Sequence, residues 1–238
     1  MFSTQSTAKE IQDAHVDTVI IPIGSTEQHG YHLPIGTDTY IAEAIAKRMA
    51  EHFGALKLFA VPVTTSQEHR GRKGSAWVSS STLFQYIGDM MDSLHSQGFK
   101  RVILVLAHGG VVISPALTRE FNTKYPDMHV VYMNVFQFVK VPDMLSLLEG
   151  KKNVHACEME TSIMMYEHPD LLKKEWIEDC VPEVGTKCLD YLSIYKYSPT
   201  GVWGMPSLAT PEKGKKALEI LVRECINFTE DAFQNCFE

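Results

Sequence analysis

The chain has 238 residues, 45% of them hydrophobic, and 22 Lys and Arg against 29 Asp and Glu give a net charge of -7. That length and apolar content can bury a full core, so a single domain over residues 1–238 is expected. The acidic balance, without a basic cluster, disfavours nucleic acid or an anionic membrane as partner, and no apolar run is long enough to span a bilayer.

The residues from Met1 to Ser6 lack the basic and apolar regions of a secretory signal. The five cysteines (Cys157, Cys180, Cys188, Cys225, Cys236) are odd in number and have no C-x-x-C spacing. Reduced thiols in a cytoplasmic protein are therefore expected. Along the chain, apolar β-branched runs alternate with amphipathic stretches. Strands are expected at 16–23, 56–63, 101–107 and 129–133, and helices at 40–53, 83–97, 114–124, 158–168 and 211–233. The run from Arg101 to Ala107 is apolar without alternation, as a central parallel strand covered on both faces requires. Residues 136–154 and 173–206 show no clear period. Strand–helix alternation of this kind implies an α/β fold, a parallel sheet with helices on both faces.

Chemistry-bearing residues gather in three segments. The first is the Gly- and Pro-rich loop after the first strand, Gly24-Ser25-Thr26-Glu27-Gln28-His29-Gly30 through Thr37-Asp38, which holds Glu27, His29 and Asp38. These form an oxygen and nitrogen donor set suited to zinc, manganese or iron. The second is His108-Gly109-Gly110, directly after the strand ending at Ala107, where glycines let the backbone approach a ligand closely. The third is His155-Ala156-Cys157-Glu158-Met159-Glu160-Thr161-Ser162, at the start of a helix. Ligands of open parallel sheets bind outside the carboxyl ends of the strands, which brings the first two loops to one crevice.

On these residues the sequence resembles the creatininase, or creatinine amidohydrolase, family. The segment 24–38 looks like its N-terminal signature, His108-Gly109-Gly110 the core of a second motif and 155–162 a third. Gly201-Val202-Trp203-Gly204-Met205-Pro206, with Ala209-Thr210 and Glu212-Lys213-Gly214, is similar to the family's C-terminal pattern. The resemblance implies a three-layer α/β/α sandwich, a homo-oligomer such as a hexamer, and a centre of two divalent ions (Zn, Mn or Fe). Carried over by position, the ligands are Glu27, His29, Asp38, His108 and Glu158, with Asp38 bridging. His155 is then the residue for proton transfer, and Glu160 a partner that orients a ligand. Ser66 and His69 resemble a loop that reaches the substrate. Two such ions activate a water for attack on a carbonyl carbon next to nitrogen.

The chain also departs from the family. Leu106-Ala107 and Val111 stand where asparagines and a glycine are common around the histidine, and Cys157 stands where glycine is usual. Plainer roles remain for several residues: Glu27 and Asp38 as turn or helix caps, His32 as a loop support, Cys157 as packing, and Arg70, Arg72 and Lys73 as a solvated loop. His15, His52, His95, His129 and His168 have no sequence partners, and Trp77, Trp176 and Trp203 fit core or subunit contacts. The expectation is an enzyme that opens a cyclic or linear amide of a small molecule. Its rivals are C–C cleavage of a keto-cyclitol or sugar-like substrate at the same centre, and a non-catalytic binding module.

Overall fold

The computed structural model describes residues 1–150 and 152–237. Five strands form one all-parallel sheet in the order β1-β3-β2-β4-β5: β1 (Phe2–Ser3), β2 (Thr18–Ile23), β3 (Leu56–Lys57), β4 (Arg101–Leu106) and β5 (His129–Asn134). The register sets Val19 beside Val102, Ile23 beside Leu106, and Leu106 beside Asn134. Strands β2, β4 and β5 therefore end together, and the loops after β2 and β4 leave from the same edge.

The lack of alternation in the central strands has a direct cause. Ile20, Ile103 and Val105 pack into one apolar cluster with α2 (Thr37–Phe53), α6 (Glu158–Glu167) and α7 (Pro211–Cys236). Their neighbours Val19, Ile21, Val102 and Leu104 pack into a second cluster with α3 (Ser80–Ser96) and α4 (Ser114–Lys124). Both faces of β2 and β4 are covered, so both alternations are apolar. The result is a three-layer α/β/α sandwich.

Several elements differ from the sequence reading. Helix α2 begins at Thr37, not residue 40, because Thr37 Oγ1 donates to the Pro34 carbonyl (2.7 Å) and Asp38 falls in the first turn, where the helix dipole favours an acid. The strand expected at 56–63 shrinks to Leu56–Lys57, followed by a lone bridge from Val61 to Ile23. The short helix α1 (Ala8–Asp13) and β1 add a piece the apolar pattern did not reveal. A capping box announces α1, with Thr7 Oγ1 accepting from Glu10 N and the Glu10 carboxylate accepting from Thr7 N. Residues 135–147 carry a 3-10 helix and the short helix α5 (Pro142–Leu147), each too short for its period to be read. Among the described residues no helix is long and apolar enough to cross a membrane.

Candidate metal centre

The loop after β2 folds back on itself, with Glu27 N donating to Ile35 O (2.8 Å), so that Glu27, His29 and Asp38 all point inward. All three are buried. The Asp38 carboxylate divides itself between two histidines. Oδ1 lies 2.9 Å from His29 Nε2, and Oδ2 lies 3.0 Å from His108 Nδ1. Ser25 Oγ donates to Oδ2 at 2.9 Å and fixes the carboxylate plane. Both histidines have their far nitrogens on backbone carbonyls, which sets their tautomers: His29 Nδ1 on Glu27 O (3.2 Å) and His108 Nε2 on Thr65 O (2.7 Å). The nitrogen facing Asp38 is thereby left free to act as a ligand.

Two ligand triads result, Glu27–Asp38–His108 and His29–Asp38–Glu160, and Asp38 belongs to both. Within each, the donor atoms lie within 4.8 Å of one another. The donor chemistry fits a pair of divalent cations. Neither Glu27 oxygen accepts an aligned hydrogen bond, although it is fully buried and Oε1 lies 3.1 Å from His69 Nε2 and 3.3 Å from His108 Nδ1. A buried carboxylate without a partner is costly unless a cation completes it. A third combination, Glu27–His29–His155, is also close enough to ligate. It lacks the shared carboxylate, so the two Asp38 triads describe the centre better.

The electrostatics show the same demand for positive charge. Burial opposes ionisation of Glu27, yet His108 and His69 hold it well below the usual carboxylate range. Burial likewise opposes charge on Asp38, but His29 keeps it down to about 2. Burial also opposes charge on His29, yet the Asp38 carboxylate pushes it up to about 9, and His108 is raised well above its ordinary value by Glu27 and Asp38 against the same penalty. Burial pushes Glu160 up to about 7. Protonated imidazoles thus balance clustered acids in the positions that cations can take.

Glu158, expected as the fifth ligand, is elsewhere. Its carboxylate is fully buried, paired with Lys213 Nζ at 2.5 Å, and accepts from Glu149 N and Gly150 N at 3.0 and 2.6 Å. Glu160, expected to orient a ligand, stands at the centre instead, with Oε1 4.0 Å from His29 Nε2 and Oε2 accepting from Cys157 N (3.2 Å). Two residues on, a helix has turned through about 200°, so Glu158 and Glu160 cannot share a site.

His155 faces the centre from the start of α6. A backbone bridge to Trp203 holds it (Trp203 N to His155 O, 2.8 Å), as does its Nε2 on Gln28 O (2.7 Å). Its Nδ1 lies 3.7 Å from Glu27 Oε1, and burial together with His29 holds its pKa well below the ordinary value. His69 is beside Glu27, while Ser66 is fully buried behind His108, its Oγ 3.4 Å from Nε2. Gln28, which the sequence did not single out, ties the site together. Its amide nitrogen lies 2.9 Å from His69 Nδ1, and its oxygen accepts from Gly30 N at 2.9 Å. A carboxamide between two ligands in the chain was the available signal.

Leu106, Ala107 and Val111, which replace the family's polar residues and glycine, are core residues. Cys157 is buried, and burial pushes its thiol well above the ordinary range, which fits packing. His32 is buried with Nε2 2.9 Å from Thr161 Oγ1, a support between the loop and α6. A cavity of about 660 Å³ opens over the centre, and its walls include Glu27, Asp38, Glu68, His69, His108, His155 and Glu160. That size suits a small-molecule ligand.

A parallel α/β sandwich with carboxylate–imidazole clusters at the carboxyl ends of its central strands is the framework of a metal-dependent enzyme. Residues 4–229 match the family model Creatininase, described as creatinine amidohydrolase, and the chain belongs to that family. Among curated relatives it is 26% identical to the 3-dehydro-scyllo-inosose hydrolase of Thermotoga maritima, over 91% of this chain and 78% of that one. It is 29% identical to the mycofactocin precursor peptide peptidase of Mycolicibacterium smegmatis, over 92% and 87%. A solved manganese creatininase superimposes with a TM-score of 0.84 at 25% identity, covering 97% of this chain and 98% of that one.

Proposed function

We propose that the protein is a metal-dependent hydrolase that opens a C–N bond in a cyclic or linear amide of a small molecule. The carrying observation is the Asp38 carboxylate, which offers one oxygen to each of two triads. Glu27, Asp38 and His108 would hold one divalent ion, and His29, Asp38 and Glu160 the other. When bound, such ions polarise a carbonyl oxygen and make water a nucleophile near neutral pH.

The chain's own residues supply the rest. His155, neutral by virtue of its burial, donates Nε2–H to Gln28 O and keeps the lone pair of Nδ1 toward the cavity. It takes a proton from the attacking water and returns it to the leaving nitrogen. His69, held by Gln28, positions Glu27 and walls the substrate side. Glu27, His29, Asp38, His108 and Glu160 are buried, which strengthens each charge interaction among them. The M. smegmatis relative is named as a peptidase, which supports amide chemistry here.

The second reading keeps the centre and changes the bond. The T. maritima relative is named for a keto-cyclitol, and Gln67 and Glu68 give this cavity a wall of acceptors suited to hydroxyls. Asp38→Ala tests the shared part: about two equivalents of divalent metal per chain in the wild type should fall to near zero, and all turnover should be lost. Wild-type protein without metal, purified in the absence of chelator, would contradict it. Amides assayed against cyclic ketones with manganese, zinc and iron then separate the two bonds.

A further inference from the structure

One carboxylate in the cavity has no hydrogen-bond donor from any other described residue. Glu68 is the middle residue of the 3-10 turn Gln67–His69, and its side chain is only 17% exposed. The nearest cationic candidate is His108 Nε2 at 3.6 Å, but that N–H points at Thr65 O, 2.7 Å away. Among the described residues no amide, hydroxyl or ammonium of another residue donates to the Glu68 carboxylate. Arg70, two residues on, directs its guanidinium to the Gln67 and Tyr191 carbonyls, each 3.0 Å away. Lys140 and Lys187 line the same cavity but neither lies within ion-pair distance of Glu68.

The fold makes room for this acid. A Cβ on Gly110 would lie 2.2 Å from Glu68 Oε1, 2.4 Å from His108 Nε2 and 2.7 Å from Thr65 O. Only glycine at 110 lets the carboxylate, the ligand ring and the carbonyl coexist. Thr65 Oγ1 donates to Gly110 O at 2.7 Å and locks the two loops in this register. A largely desolvated carboxylate with no donor from another residue carries a free-energy cost that an incoming donor relieves.

We propose that Glu68 is the specificity residue of this site, accepting hydrogen bonds from a donor group, ammonium or hydroxyl, that the substrate carries close to its reacting carbonyl. The inference rests on the metal-centre reading above and adds a substrate class to it: amides or ketones bearing an amino or hydroxyl group one or two carbons from the carbonyl. Glu68 lines the cavity beside His108 Nε2, while Asp38 meets Nδ1 of the same ring, so Glu68 borders the substrate space without belonging to either ligand triad.

Hydroxamates bind paired metal ions whatever the natural substrate, and three of similar shape isolate the Glu68 contact: glycine hydroxamate, glycolohydroxamate and propionohydroxamate, each with its two-carbon homologue. Calorimetric titration of the metal-loaded protein should show the ammonium or the hydroxyl ligand binding at least ten times more tightly than the apolar one. The tighter of the two identifies the donor. Glu68→Ala should bring all three within twofold of one another, with metal content and propionohydroxamate affinity unchanged. Glu68→Gln should erase an ammonium preference but keep part of a hydroxyl preference. Equal binding of all three by the wild type would overturn the proposal. So would a Glu68→Ala variant that weakens all three alike, since Glu68 would then act only through His108. Failure to take up metal, or to bind propionohydroxamate at all, would instead overturn the metal-centre reading on which this one stands.

Discussion

Glu158 and Glu160 are chemically the same and two residues apart, yet they do unrelated work. Glu158 joins Lys213 and two amides in a buried ion pair, and Glu160 turns toward His29 and Asp38. Lys213 also reaches Glu149 Oε1 at 2.6 Å, so Glu158→Gln should cost only about 1–2 kcal/mol through weakened charge-assisted hydrogen bonds, while metal content stays at the wild-type level. Glu160→Gln should do the reverse, with metal affinity reduced about 10- to 100-fold or more and thermal stability of the metal-free protein little changed. Metal analysis and denaturant melts on the two variants check this, and loss of metal in Glu158→Gln would contradict it. The sequence drew attention to Glu27, His29, Asp38 and His108 because they lie in, or directly after, Gly- and Pro-rich loops at the ends of strands, where few structural roles compete. It could not separate the two glutamates. That choice depends on how α6 is rotated about its axis, which no local motif records. Gln28 and Glu68 were hidden for another reason: both earn their roles through contacts with loops more than 40 residues away or through space left by Gly110.

At the scale of elements, α6 is held in rotation by α7. The two helices approach so closely that a Cβ on Gly214 would lie 1.8 Å from Ser162 O. Thr210, the N-cap of α7, donates its backbone N–H to Ser162 Oγ (3.2 Å), and Lys213 in the first turn of α7 reaches Glu158. Gly214→Ala should force the helices apart and cost at least about 2 kcal/mol, lowering Tm by at least about 4 °C. Because the displaced helix carries Glu160, the variant should also bind metal more weakly. A melt and a metal titration check both; an unchanged Tm would contradict the close approach. The long elements were legible because their apolar period runs through ten or more residues. The short ones, α1, α5 and the two-residue strands, were not, since two turns or fewer show no period. In α1 the signal was instead the capping pair Thr7 and Glu10.

At the scale of the whole molecule, the sheet and its two helical layers bring loops from after β2 and β4 and the start of α6 to one point. Their meeting gathers Glu27, Asp38 and Glu160 in a buried cluster whose negative charge protonated histidines balance when no metal is bound. Cations should therefore stabilise the native state over the unfolded chain, which has no preformed site. Chelation should lower Tm by at least about 5 °C, and manganese or zinc should restore it. A Tm indifferent to chelator would show that the cluster is satisfied by protons alone.

The most direct test is an anomalous difference map from crystals grown with manganese or zinc. Two peaks are expected roughly 3.5–4 Å apart. Asp38 should lie between them, with Glu27 and His108 on one and His29 and Glu160 on the other. A map without peaks in this cluster, or with a single peak at Glu158, would contradict the shared-carboxylate centre.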